Sequence, residues 1–182
     1  MEHEAEVEGI GVGIGDEGGG VPAVILSARG EYLPIFVTGD QARSIELALV
    51  GEPAERPLTH DLSIDIITEL GGAIDRVRID DLTDGTFYAK VDLVRYDDGE
   101  PEKFVFDARP SDGVAFAVRV DCPITVTGEI LDEAGRDRSE LTAEDRPGLP
   151  EGEEPEGFHE QLEDALSEFE DVDEGDDEDD LE

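Results

Sequence analysis

The sequence contains little sulfur, few lysines and no tryptophan. Its 182 residues include one Cys and one Met, and only two of its 13 basic residues are Lys. The single cysteine, Cys122, excludes an internal disulfide framework and fits a reducing compartment. No apolar run approaches the roughly 18 residues that a membrane-spanning helix requires, and no charged-then-apolar leader opens the chain. These absences predict a cytoplasmic protein that does not enter a membrane.

Positive charge is also scarce. The chain contains 51 Asp or Glu residues against 13 Lys or Arg, so its formal net charge is −38. Residues 151–182 contain 18 acidic residues and no basic one, so residues 1–150 still carry a formal charge of −20. An acid excess outside the tail predicts a halophilic protein, because dense surface carboxylates keep a protein soluble in molar salt. The alternative is an ordinary acidic protein with a disordered tail.

Salt is therefore expected to stabilise this protein. Lowering KCl from about 1 M to about 0.1 M lengthens the Debye length from roughly 3 to roughly 10 Å and restores repulsion among the surface carboxylates. The melting temperature, followed by circular dichroism, should fall as the salt is removed. A melting temperature that does not change over this range would contradict the halophilic interpretation.

Apolar periodicity predicts a single α+β domain over residues 1–135 with an internal duplication. A hairpin over residues 22–38 precedes a helix over residues 40–51, and a second hairpin over residues 86–106 precedes a helix near Ser111. Two hairpin-plus-helix units predict a mixed or antiparallel sheet as the core. A further helix is predicted after Thr59, and further strands are predicted over residues 4–14 (at a sheet edge), 74–80 and 124–126.

The C-terminal part of the chain has a different composition. Residues 136–157 are rich in Asp, Glu, Gly and Pro, which is typical of a linker. Residues 158–169 place apolar side chains on one side of a short predicted amphipathic helix. Residues 170–182 are almost entirely acidic and predict a disordered tail.

Two similar polar clusters precede predicted helices. The first has the sequence RPLTHDL over residues 56–62, and the second has the sequence DARPSDG over residues 107–113. Each combines an Arg-Pro step, a hydroxyl and an aspartate at a helix start, where a phosphate or a divalent metal can be held. The sequence alone leaves open whether the two clusters meet in space.

Hydrolysis of a phosphate ester held at such clusters needs a polarised phosphoryl group and an activated water, which carboxylate-bound metals supply in many enzymes. We expect Asp61, Asp107 and Asp112 to be the candidate ligands for a divalent cofactor, Mg²⁺ or Mn²⁺. His60 is a candidate general base or acid near neutral pH. The predicted catalytic residues are His60, Asp61, Arg109 and Asp112.

The remaining polar residues of the clusters are candidates for phosphate binding. Arg109 and Arg56 offer planar guanidinium groups, and Thr59 and Ser111 add hydroxyl and backbone donors at helix N-termini. A structural interpretation competes with this one. The same hydroxyls and aspartates are ordinary helix caps, each worth about 0.5–2 kcal/mol, and Arg109 can simply pair with a neighbouring aspartate.

Four motifs resemble the bifunctional nuclease family in order and spacing. They are Leu33-Pro34-Ile35, the RPLTHDL cluster, Asp84-Gly85-Thr86-Phe87-Tyr88-Ala89 and residues 108–115. The resemblance covers roughly residues 5–135. It implies an α+β domain and, by the name of the family, cleavage of both DNA and RNA. Together with the candidate metal ligands, it predicts a nuclease that uses metal-assisted hydrolysis on DNA, RNA or both. The alternative is a non-catalytic binding or regulatory module that assembles as a homo-oligomer.

Overall fold

The computed structural model of the chain describes residues 1–14, 20–51, 54–97, 100–137 and 141. The predicted amphipathic helix over residues 158–169 and the predicted acidic tail over residues 170–182 lie outside the described residues, as does most of the predicted linker.

In the described part of the chain, one mixed seven-stranded sheet packs with four helices. In chain order the elements are β1 (Glu2–Ile14), β2 (Gly20–Ala28), β3 (Glu31–Phe36), α1 (Gly39–Leu49), α2 (Thr59–Glu69), β4 (Gly72–Thr83), β5 (Thr86–Asp97), β6 (Glu100–Ala108), α3 (Pro110–Val120), β7 (Ile124–Thr127) and α4 (Gly128–Ala134). The strand order across the sheet is β3-β2-β1-β7-β4-β5-β6. This architecture confirms the predicted α+β class. None of the described helices has the length and apolar character needed to cross a membrane.

The predicted duplication takes the form of two three-stranded meanders. Strands β1, β2 and β3 form one and are followed by α1, and β4, β5 and β6 form the other and are followed by α3. Strand β7 joins them by pairing antiparallel with β1 and parallel with β4. The prediction that residues 4–14 form an edge strand is wrong for the start of β1, because β7 pairs with Glu2–Ala5, whereas in the described residues the rest of β1 pairs with β2 alone.

One face of the sheet forms the core with the helices. Val77 and Ile79 of β4 and Ala89 of β5 are fully buried there. Ile45 of α1 and Val114 of α3 are buried in the same cluster, and each such side chain contributes about 1.5–3 kcal/mol. A single residue, Arg109, separates the end of β6 from the start of α3, and the packing of Val114 holds the first turns of α3 against the sheet.

The approach of α3 to β4 depends on Gly113. A Cβ atom at this position would lie 2.8 Å from the Cγ1 atom of the buried Val77. We expect Gly113→Ala to lower the free energy of unfolding by about 1–2 kcal/mol, because overpacking outweighs the better helix propensity of alanine. Urea unfolding measures this change. A variant as stable as the wild type would show that α3 and β4 can separate without cost.

Candidate functional site

The two polar clusters occupy equivalent positions in two helices. Leu58 is the N-cap of α2 and Arg109 is the N-cap of α3. Asp61 and Asp112 each lie three residues later, in the first helical turn, where the helix dipole favours a negative charge. Asp61 also accepts a hydrogen bond of 2.8 Å from the Leu58 backbone N–H. Asp61 therefore has the capping role that the structural interpretation predicted, whereas the side chains of the two N-cap residues make no capping hydrogen bond, and the placement of the clusters brings further contacts.

The two clusters meet in space. The distance from His60 Nε2 to Asp112 Oδ1 is 3.2 Å. Arg109 donates to both oxygens of the same carboxylate, over 2.8 Å from Nε to Oδ2 and 3.1 Å from Nη2 to Oδ1. A bidentate arginine and a histidine thus converge on Asp112, which settles the question that the sequence left open.

Two residues outside the clusters extend this arrangement. Ser44, buried on α1, lies with Oγ 3.3 Å from His60 Nδ1 and accepts a hydrogen bond of 3.2 Å from Arg119 Nη2. Arg119 on α3 also donates from Nε to Asp61 Oδ1 over 2.6 Å. The six side chains form one continuous network, here called the polar chain, in the order Arg109, Asp112, His60, Ser44, Arg119 and Asp61.

The contacts of His60 suit the tautomer that carries its proton on Nε2. Because Ser44 Oγ already accepts from Arg119, its own proton is available to His60 Nδ1. In this arrangement the Nε2–H of His60 donates to Asp112 Oδ1. Phe116 packs against the ring edge to face, with centroids 5.0 Å apart, and fixes its plane.

Both aspartates of the polar chain are held in the ionised state. Burial raises the pKa of Asp112, but the hydrogen bonds from Arg109 and His60 outweigh burial and leave this pKa below its ordinary value. Burial likewise raises the pKa of Asp61, and the hydrogen bonds from Arg119 and the Leu58 N–H lower it by more. In turn, the hydrogen bonds to Asp112 raise the pKa of Arg109. At neutral pH the site therefore holds two carboxylates and two guanidinium groups.

A cleft of about 420 Å³ opens at one end of the polar chain. His60, Asp112, Arg109 and Thr59 line it together with Arg43 of α1. The side chain of Arg109 is 68% exposed at this cleft, whereas His60 and Asp112 are largely buried. A solute that enters the cleft therefore meets the guanidinium group of Arg109 before it reaches the carboxylate and the imidazole.

The other predicted site residues lie apart from this cleft wall. Asp61 and Arg119 line a separate cavity beside it. Ser111 is only 6% exposed, so the predicted phosphate contact through its hydroxyl lacks access. Arg56 is exposed in the turn before α2. Asp107 is on β6, opposite Lys90 of β5. Strand alternation turns its side chain away from the face that the helices cover.

The predicted metal ligands do not form a single centre. Among the residues that the structure describes, no group of three or more His, Cys, Asp and Glu side chains is placed to hold a metal ion. Asp61 and Asp112 are each held by an arginine, and Asp107 belongs to the other face of the sheet. These residues therefore do not fit a shared protein-bound cation, and the requirement for Mg²⁺ or Mn²⁺ stays a prediction.

Ser44 and Arg119 are the two members of the site that sequence analysis missed. Arg119 is a charged residue near the end of an otherwise apolar helix segment, VAFAVRV. Ser44 adjoins Ile45 on the buried side of α1. A polar residue among apolar ones on a helix implies a buried partner, but the pattern does not say which partner.

Comparison with known proteins agrees with the motifs. Residues 24–139 match the family described as the bifunctional nuclease domain. Over 116 residues the chain is 43% identical to two Mycobacterium tuberculosis proteins, uncharacterized protein MT1877 of strain CDC 1551 / Oshkosh and uncharacterized protein Rv1829 of strain ATCC 25618 / H37Rv. Each match covers 63% of this chain and 66% of the relative, slightly under two thirds of its length. The family match covers more than half of the protein sequence, including all six residues of the polar chain. The protein therefore belongs to the bifunctional nuclease domain family.

Proposed function

We propose that this protein is a nuclease that hydrolyses phosphodiester bonds of DNA, RNA or both in the cleft beside α1, α2 and α3. The observation that carries the proposal is the meeting of His60, Arg109 and Asp112 on one cleft wall. A carboxylate base that a histidine orients, beside an exposed guanidinium group, suits the cleavage of a phosphate ester. The family of the chain supports the same chemistry.

Arg109 is the residue that would first contact the substrate. Its guanidinium group is bound to Asp112 in the free protein and is mostly open to solvent. The two oxygens of a phosphodiester offer the same bidentate geometry as a carboxylate. We infer that Arg109 exchanges Asp112 for the phosphate when substrate enters the cleft, and so orients the phosphorus atom toward Asp112.

Asp112 then acts as the general base. The loss of the Arg109 hydrogen bond frees Oδ2 and removes a main cause of the low pKa of this carboxyl. Oδ2 takes a proton from a water molecule, whose oxygen forms the new bond to phosphorus as the bond to the leaving oxygen breaks. The proton on Asp112 then passes to the leaving oxygen. His60 keeps its Nε2–H on Oδ1 and orients the carboxylate, and Ser44 holds the ring.

A second function is favoured by a different observation. Leu62, Ile66 and Leu70 follow one another at four-residue spacing on one side of α2, and each is between 51% and 70% exposed. An apolar stripe of this kind suits a protein partner. In this alternative the protein is a non-catalytic binding or regulatory module, and the polar chain only fastens three helices together.

A cleavage assay distinguishes the two functions. Single-stranded and double-stranded DNA and RNA are incubated with the protein in about 2 M KCl, where the acidic surface is screened, with Mg²⁺, Mn²⁺ or EDTA. We expect cleavage above that of a mock purification, and loss of cleavage in EDTA would support the predicted metal requirement. No cleavage above the mock level under any condition would overturn the nuclease proposal and favour the binding module.

A further inference from the structure

The two edges of the sheet differ in how they are protected. At one edge, β3 contains Pro34, and the backbone of Tyr32 is hydrogen-bonded to Arg136. At the other edge, β6 pairs with β5 alone among the described residues. Its own proline, Pro101, is the second residue of the strand, so residues 102–108 beyond it present their outer backbone groups without a neighbouring strand. Val105 and Phe106, which point to opposite faces, are 56% and 52% exposed. An exposed edge with apolar side chains on both faces is a template for pairing with another strand.

The side chains of β6 alternate between two chemically different faces. Phe106 lies opposite Val91 and Phe104 lies opposite Leu93, so both rings belong to the face that the helices cover. Lys103, Val105 and Asp107 belong to the opposite face. On that face a basic and an acidic residue flank Val105 symmetrically, two positions away on either side.

We propose that β6 pairs antiparallel with β6 of a second copy of this chain, across a two-fold axis at Val105. Val105 then meets Val105 of the second copy. Lys103 meets Asp107 of the second copy, and the symmetry repeats this ion pair. On the other face, Phe104 meets Phe106 of the second copy. The strand is thus complementary to itself in charge and in apolar character.

Neighbouring registers lack this complementarity. Centring the pair on Phe104 places Lys103 opposite Val105 and Glu102 opposite Phe106, so each charged side chain faces an apolar one. Centring the pair on Phe106 places Val105 opposite Asp107 and leaves Lys103 without a partner on the strand, because β6 ends at Ala108. The side-chain pattern therefore selects the register centred on Val105.

The local charges of β6, rather than the net charge of the chain, favour a second copy as the partner, because two acidic copies repel one another wherever salt does not screen them. Lys103 is one of only two lysines in a chain of formal charge −38, and in this register it lies beside an acidic residue of the same sequence. Backbone hydrogen bonds of the added strand supply affinity, and the ion pairs supply register. Because β6 ends one residue before Arg109, the interface would end beside the cleft of each copy.

Sedimentation equilibrium over a roughly hundredfold range of protein concentration tests this proposal. The wild type is expected to form a dimer of twice the 19.7 kDa chain mass. Val105→Lys places two ammonium groups together at the axis, and Lys103→Asp replaces both ion pairs by repulsion. Each variant should raise the dimer dissociation constant roughly tenfold or more. The matched control is Val50→Lys, since Val50 is also more than half exposed but lies at the end of α1.

Exchanging the two charges tests the predicted ion pairs most directly. The double variant Lys103→Asp with Asp107→Lys recreates both pairs with their signs exchanged and should restore the dimer that Lys103→Asp loses. Amide hydrogen exchange should show protection of residues 102–108 that decreases on dilution in the wild type. A monomeric wild type would overturn the proposal, as would a dimer that resists Val105→Lys. Equal weakening by Val50→Lys would show a non-specific association and would also overturn it.

Discussion

Asp112→Asn is expected to lower the rate of phosphodiester cleavage by roughly 10²-fold or more. The amide has the size of the carboxylate and can still accept from His60, but it cannot take a proton from water. Arg109 is mostly exposed, so the loss of its ion pair with Asp112 should change stability little. The rate of cleavage and the melting temperature are measured on the same samples, so that a loss of activity is not confused with a loss of fold.

Two companion variants separate the roles of the neighbouring residues. His60→Ala removes the group that orients Asp112 and should also cost roughly 10²-fold in rate. Arg109→Lys keeps the charge but removes the planar fork, so it should mainly raise KM if Arg109 holds the phosphate. Asp65→Asn is the matched control, because Asp65 is exposed on α2, one turn beyond Asp61. Wild-type rates in all three site variants would show that this cleft is not the active site.

Arg119→Met is expected to be the most destabilising substitution in the polar chain. The guanidinium side chain is 9% exposed and makes three hydrogen bonds, to Asp61, Ser44 and the Ala115 carbonyl. Removing one member of a buried ion pair costs about 3–5 kcal/mol. Since Asp61 is 37% exposed and water can replace its partner, we expect about 2–3 kcal/mol, or a fall in melting temperature of roughly 5–10 °C.

The effect of Arg119→Met should depend on pH. The pKa of Asp61 is lowered in the folded protein, so its ion pair stabilises the fold above the unfolded-state pKa of about 3.9. This stabilisation is lost as the pH falls through the lowered pKa. The difference in unfolding free energy between wild type and variant should therefore be full at neutral pH and shrink below about pH 4.

Arg95→Met is the control for this prediction. Arg95 forms an ion pair with Glu102 over 2.6 Å, the same distance as between Arg119 and Asp61. The side chains of Arg95 and Glu102 are, however, both nearly half exposed. An exposed pair contributes about 0–1 kcal/mol, so the variant should melt close to the wild type. If Arg119→Met is no more destabilising than Arg95→Met, the polar chain does not hold the three helices together.

Local sequence patterns predicted the repeated units well. The hairpin β2–β3 and helices α1 and α3 have strong apolar periodicity, and the folded protein has the strands and helices that this periodicity predicts. Tyr88 is exposed and the neighbouring Phe87 packs against the core, as strand alternation requires. The two polar clusters were also recognisable, because helix starts have a characteristic composition.

Long-range pairing explains what sequence patterns missed. Strand β1 carries glycine-rich, weakly alternating residues that resemble an edge, yet β7, about 120 residues away in sequence, pairs with its first residues, Glu2–Ala5. The link from His60 to Asp112 spans 52 residues, and the link from Ser44 to Arg119 spans 75. These contacts follow from how α1, α2 and α3 pack on the sheet, which no local periodicity encodes. Asp107 illustrates the reverse case, since it neighbours the site in sequence but faces away from it.

In the proposed mechanism, His60 and Asp112 act as one unit in phosphodiester cleavage. The most direct test compares the cleavage rates of the wild type, His60→Ala, Asp112→Asn and the double variant. Residues that act as a unit are not additive, so the double variant should lose no more than the worse single variant, roughly 10²-fold. Losses that multiply to roughly 10⁴-fold, or no loss in either single variant, would contradict the account.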